Sequence, residues 1–388
     1  MADYLICSRP TGDPLQARLS NALKAGAERQ GLSPFPLERR SWMIAWGPRP
    51  PEVRRIGPWR LIGDVIDRKT PPRDPSVGEA PCAYERQLLA RFWGRFVGVR
   101  FNSDGRLTAI LRDPSGALDA VVWSAHGLDF VASDIPFPWG RPLIGGWRVS
   151  SNRLATALRD PLLVGGELLL DGPQAVLPGT LRRWPGGETV RLWTPAEQVR
   201  TAEGQVRNAT EAAERLRRAV DEAVKGLAAR TEAIGAEVSG GLDSSIVAAS
   251  LAPVAKVRLW LNAHGPDPSG DERGFAEALA RRHALRIDYV PRKPAALSRD
   301  DLDVLPLGLR PAVAGLDLFH DRLWAERCAA AGVTALFTGK GGDSVFAQPA
   351  GPSVYDDLWR RIGPRALFDP SLYTLARLNE RSVWTLVA

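Results

Sequence analysis

The chain has 388 residues, 44% of them hydrophobic and 24% charged, the balance of a soluble globular protein with room for two domains and a sizeable core. No run approaches the roughly 18 apolar residues of a membrane span, and Met1–Pro10 has neither a basic n-region nor a secretory h-region, so the expected compartment is cytoplasmic, with no membrane partner. The net charge of +7 comes from Arg, because lysine occurs only at 24, 69, 225, 256, 293 and 340; the Arg215–Arg218, Arg281-Arg282 and Arg360-Arg361 clusters read as solvated helix faces, and no nucleic-acid partner is expected. Cys7, Cys82 and Cys328 lie far apart without Cys-x-x-Cys spacing and histidines are few, which argues against a disulfide framework or a zinc site.

From Met1 to about Pro195, short apolar runs alternate with Gly, Pro and Asp: WMIAW, WRLIGDVI, RFVGVRF, LTAIL, AVVW, LDFVAS, GELLL and TVRLW. These predict the strands of a β-rich domain, residues 1–195, with helices at Leu15–Gln30 and Tyr84–Trp93. The Pro-rich patches Pro48–Pro51 and Pro71–Pro75 read as loops, since strand patterning resumes after each. Residues 196–207 are expected to be a linker. A second domain, 208–388, opens with an amphipathic helix over Asn208–Arg230 carrying Leu216, Val220, Val224 and Leu227 on one side. Strands and helices then alternate, which predicts a doubly wound parallel sheet and an α/β class for this half, with ligands beyond the C-terminal strand ends.

Two loops lie at such ends. Ser239-Gly240-Gly241-Leu242-Asp243-Ser244-Ser245 joins a predicted strand, Ala233–Val238, to a predicted helix, Ser244–Leu251. Its glycines permit a sharp turn with uncovered N–H groups, the helix start adds unpaired N–H groups and the positive dipole end, and three hydroxyls add donors, so an anion would be welcome. A Gly-Gly turn with a serine cap is the alternative. Asp243 suits a phosphate carrying Mg²⁺. Gly339-Lys340-Gly341-Gly342-Asp343-Ser344-Val345-Phe346 follows the strand VTALFT, so Asp343 is expected at the same sheet edge as Asp243, the two carboxylates forming an Mg²⁺ clamp for a nucleoside triphosphate. Asp271-Glu272 opens the next predicted helix, either complementing its dipole or serving the site. Trp260-Leu261-Asn262 ends the second predicted strand, beside a nucleotide base or simply buried.

The first loop matches all six positions of the PP-loop, Ser-Gly-Gly-x-Asp-Ser, of the ATP pyrophosphatases. With the Asp-Glu helix and the second loop it resembles the asparagine synthetase family, where the loop grips the pyrophosphate end of ATP while a carboxylate attacks the α-phosphate. Arg112-Asp113-Pro114-Ser115-Gly116 and Phe130-Val131-Ala132-Ser133-Asp134-Ile135 resemble the class II glutamine amidotransferase sequence, and Ala175–Gly187 resembles its Pro-Gly hairpins. The resemblance implies an Ntn-type N-terminal sandwich. It also implies ATP and Mg²⁺ as cofactors, with Ser239, Gly240, Gly241, Leu242, Asp243, Ser244, Ser245, Asn262, Glu272, Gly341 and Gly342 at the nucleotide, Asp243 and Asp343 on the metal, and Lys340, Asp243 and Asp343 catalytic.

Departures from the pattern narrow the expectation. Amidotransferases of this type use an N-terminal Cys activated by its own α-amine, and residue 2 here is Ala. Cys7 has no free amine beside it, and Ile62-Gly63 stands where the family has its oxyanion Asn-Gly pair. The first domain is therefore expected not to hydrolyse glutamine, and Lys340 stands where the synthetases carry Glu. The resemblance is closest to lasso peptide cyclases, through the second loop and the later Ala376-Arg377-Leu378 and Ser382-Val383-Trp384. It implies adenylation of an Asp or Glu side chain of a precursor peptide and macrolactam closure by the peptide's own amine, with a leader-binding protein and a leader peptidase as partners. Family members continue beyond the position of Ala388 into a helical portion, so the chain is expected to be C-terminally truncated. Two alternatives stand beside the cyclase: an ammonia-using asparagine synthetase homologue and a catalytically silent peptide-binding scaffold.

Overall fold

A computed structural model describes residues 3–47, 49–68, 82–135, 139–140, 143–159, 166–202, 205–265, 267, 271–292, 308–310, 318–346 and 353–387. The strands are β1 (Asp3–Ser8), β2 (Phe35–Glu38), β3 (Ser41–Trp46), β4 (Val53–Ile56), β5 (Trp59–Asp67), β6 (Phe92–Phe101), β7 (Leu107–Arg112), β8 (Val121–Ala125), β9 (Leu128–Ala132), β10 (Arg148–Val149), β11 (Leu170–Asp171), β12 (Gln174–Ala175), β13 (Thr180–Arg183), β14 (Thr189–Arg191), β15 (Ile234–Glu237), β16 (Val257–His264), β17 (Ile287–Pro291) and β18 (Ala335–Phe337). The helices are α1 (Pro14–Arg29), α2 (Ala83–Arg91), α3 (Ser151–Arg159), α4 (Pro195–Ala202), α5 (Ala209–Ala228), α6 (Leu242–Leu251), α7 (Arg273–His283), α8 (Leu318–Ala330), α9 (Gly342–Phe346), α10 (Ser353–Ile362), α11 (Pro370–Leu378) and α12 (Val383–Val387). The Pro71–Pro75 patch and Pro48 lie outside the described residues.

The chain divides into two compact units, Met1–Ala233 with Pro294–Ala335, and Ile234–Lys293 with Leu336–Ala388. This differs from the sequence reading: α5 belongs to the first unit, and α4 lies within the expected linker. The composition change at Pro195 marks the end of strand patterning, whereas packing continues past it. Gly226 of α5 lies so close to Trp93 that a Cβ there would meet the indole, and Arg230 pairs with Glu52 and Asp64 of the β-rich part.

The first unit holds two antiparallel six-stranded sheets, ordered β12-β8-β9-β1-β3-β2 and β14-β13-β7-β6-β5-β4. Tyr4, Ile6, Met43, Val122 and Val131 of the first share a core with Ile62, Val97, Val99, Leu107 and Ile110 of the second. On the opposite face of the first sheet Leu5, Cys7, Ile44 and Phe130 pack with Ala27, Leu19 and Leu23 of α1; on that of the second, Leu61, Phe96 and Leu111 pack with Leu88 and Leu89 of α2. Each sheet is thus covered on both faces, giving four layers, helix, sheet, sheet and helix.

The Arg112-Asp113 turn at the end of β7 is structural. Arg112 donates to the carbonyls of Leu118 (2.9 Å), Val176 (3.0 Å) and Gly116 (2.5 Å) and pairs with Asp119, while the Asp113 carboxylate accepts from the N–H groups of Phe96 and Ser115. Burial pushes the Asp113 carboxyl above its ordinary range, the hydrogen bonds opposing the shift.

In the second unit the strand order is β17-β16-β15-β18, with β15, β16 and β17 parallel. Succession runs outward on one side of β15, through β16 to β17, and resumes on its other side with β18. The order reverses between β15 and β18, where open sheets of this kind leave a crevice for a ligand.

Candidate active site

The two loops singled out in the sequence follow the two strands that flank this reversal. After β15 the chain turns at Gly240, whose φ of +105° is strained for any other residue. A Cβ on Gly240 would also run into the backbone carbonyl and Cβ of Glu272, so conformation and close approach both require glycine. Glu272 thereby backs the loop, its carboxylate lying near Gly241. Asp271 does something else: its carboxylate accepts from the Arg273 N–H (3.1 Å) and pairs with the Arg273 guanidinium, which holds its pKa down at about 2. Asp271 thus serves the start of α7, and Glu272 stands at its N-cap against the loop.

The three serines are turned inward. The Ser244 hydroxyl, buried, donates to the Gly241 carbonyl (3.2 Å), accepts from the Ser239 N–H (3.1 Å) and lies 2.8 Å from the Ser239 hydroxyl. Ser239 Oγ accepts from the Gly241 N–H (3.3 Å), and Ser245 Oγ donates to the Gly241 carbonyl (2.8 Å). These hydroxyls shape the loop, which leaves the first turn of α6 as its main set of donors. No side chain caps α6, so its initial N–H groups keep their anion-binding capacity. Leu242 is 69% exposed on the outside of that turn.

Asn262, on β16, is buried to 1% and its Nδ2 donates to the carbonyls of Val238 (2.7 Å) and Ser239 (3.1 Å), at the joint between strand and loop. Its Oδ1 has no hydrogen-bond partner among the described residues, a cost of about 1–3 kcal/mol for a buried acceptor.

The second loop closes against the first. A Cβ on Gly339 would collide with Ser244 N at the start of α6, and one on Gly342 would fall on the Asp243 carboxylate. Gly341 has a φ of +98° and the Gly342 N–H returns to the Gly339 carbonyl (3.1 Å), so three glycines shape this turn. Asp343, exposed, directly follows the glycine that touches Asp243. Lys340 is exposed, with its N–H 3.4 Å from Thr338 Oγ1.

Glu237, absent from the sequence-derived set, stands at the end of β15. Burial pushes its carboxyl above the ordinary range, while the Arg292 guanidinium and the Lys340 ammonium pull the other way. An acid closing an otherwise buried strand is the signal that marks it in the sequence.

The described residues contain no group of three or more His, Cys, Asp or Glu able to hold a metal unaided. The uncapped start of α6 beside Asp243 fits a phosphate.

Residues 215–386 match the asparagine synthase family. The match spans both loops, α7 with its acidic start, and Lys340. It supports an ATP-dependent carbon–nitrogen ligase. No curated protein matches the chain. No described helix is long and apolar enough to cross a membrane.

Proposed function

We propose that the protein is an ATP-dependent amide-forming ligase that adenylates an Asp or Glu side chain of a precursor peptide and joins it to the peptide's N-terminal amine, closing a lasso-type macrolactam. The contact of Gly342 with the Asp243 carboxylate carries the ATP half of this reading, because it unites the two loops at one edge. The start of α6 would hold the pyrophosphate end of ATP, and Asp243 with Asp343 would hold Mg²⁺, which supplies positive charge against the phosphates. The substrate carboxylate oxygen attacks the α-phosphorus and the α–β bridge breaks, releasing pyrophosphate. The amine then attacks the acyl carbon, AMP leaves, and one proton is lost from nitrogen.

The peptide half rests on the first unit. Cys7 lies in the middle of β1, fully buried, with burial pushing its thiol up to about 12, which removes it as a nucleophile. With Ile62-Gly63 in place of an oxyanion Asn-Gly pair, the unit is read as an Ntn-type sandwich without glutaminase, so nitrogen comes from ammonia or from a substrate amine. Lys340 is read as catalytic, and a leader-binding protein and leader peptidase would prepare the peptide in the cytoplasm. The family match favours one second reading, an ammonia-using asparagine synthetase homologue. Pyrophosphate release with a leader-free precursor peptide tests the proposal; release with aspartate and ammonia, and none with peptide, favours the second reading.

A further inference from the structure

A loop that receives a polyanion must turn its carbonyl oxygens away from it as firmly as it turns its N–H groups toward it. In the Ser239–Gly241 loop most of this arrangement is local: Ser244 and Ser245 hold the Gly241 carbonyl, and Ser239 holds the Gly241 N–H. The carbonyls of Val238 and Ser239 fall outside that set. They are consecutive, stand where the strand ends, and both accept from Asn262 Nδ2, at 2.7 and 3.1 Å. An amide nitrogen can serve two carbonyls here, since its two N–H groups match two acceptors; a carboxylate would repel both and an aliphatic side chain would leave both unpaired. The same bonds fix the amide's orientation and leave Oδ1 as a buried acceptor without a partner among the described residues. Asn262 is thus held in place by its donors and is 1% exposed.

We infer that Asn262 is the positioning residue of the anion loop: by taking the Val238 and Ser239 carbonyls it holds them off the ligand side, so that the start of α6 meets phosphate unopposed. Of the two sequence expectations for Asn262, beside the nucleotide base or simply buried, this role takes up the buried one, and it rests on the ATP reading above only for the identity of the anion.

The test uses the full chain with Asn262→Asp, which is nearly isosteric, and Asn262→Leu. Amide hydrogen exchange across 238–245, without ligand, reads the loop directly; binding of magnesium pyrophosphate, MgATP and adenosine reads its consequence. Exchange should quicken in both variants, and affinity for magnesium pyrophosphate and MgATP should fall by about tenfold or more with adenosine binding unmoved. Unchanged exchange in a folded Asn262→Asp protein overturns the inference, as does an equal loss of adenosine and pyrophosphate binding. Faster exchange in the variants of a protein that binds no MgATP upholds the role of Asn262 and removes ATP as the ligand.

Discussion

The Asp243 carboxylate and Gly342 share one space, so a side chain added at Gly342 displaces the group assigned to Mg²⁺. Gly342→Ala is expected to weaken MgATP binding without unfolding the protein, read by calorimetric titration against thermal melting. Gly240→Ala meets both an unfavourable φ and the Glu272 backbone, and should cost more than about 1 kcal/mol of stability in denaturant titration. For Glu237 the sign follows from its raised carboxyl: the protonated form is the one folding favours, so its contribution is present below the ordinary value of 4.5 and lost as pH rises through the higher folded value. Glu237→Gln should therefore raise the melting temperature at neutral pH and leave it unmoved in acid below that ordinary value. The anion loop is legible because glycine, aspartate and strand boundaries are local signals, and Glu237 is legible as an acid that closes an apolar strand. The loop-holding bonds of Asn262 are not, because they depend on strands that meet only in the folded sheet.

At the scale of elements, the chain just after α5 is tied to the β-rich part of the first unit by an ion-pair node. Asp64 on β5 is buried, and it pairs with Arg49 (2.5 Å), with Arg95 (Nε 3.1 Å) and, at 3.7 Å, with Arg230, while Arg49 also donates to the Arg230 carbonyl (2.5 Å). Removing the carboxylate leaves three guanidiniums facing one another. Asp64→Ala should lower unfolding free energy by about 3 kcal/mol, the lower end for a broken buried pair because the guanidiniums are partly solvated, as a shift in denaturant midpoint would show. Predicted and observed elements agree well where patterning was strong: α1, α2, α5 and the strands at WMIAW, WRLIGDVI and LTAIL lie where expected. GELLL yields only the two-residue β11, in a small pairing with β10. The strand most thoroughly passed over is β1, between β9 and β3 in the first sheet. It sends Tyr4 and Ile6 to one core and Leu5 and Cys7 to the other, so it is apolar on both faces and shows no alternation to read.

At the scale of the whole molecule, sequence order and packing order part company. Residues 308–310 belong to the first unit although they follow β17 of the second: Leu309 joins the core around Trp123 and Phe130, its N–H reaching the Asp134 carboxylate (3.2 Å), and Arg310 pairs with Asp119. No composition shift announces such a return. Leu309→Ala should destabilise by about 2–5 kcal/mol, as for a truncated core leucine, in chemical denaturation followed by near-ultraviolet circular dichroism. Carboxyl activation by ATP at the paired loops is tested by pyrophosphate release driven by a leader-free peptide with an acidic side chain. AMP and pyrophosphate are expected in equal amounts with the ring-closed peptide, and a loss of about 100-fold or more in Asp243→Asn, the scale of removing one fixed electrostatic partner. ADP with inorganic phosphate, or an Asp243→Asn protein turning over at the wild-type rate, would contradict it.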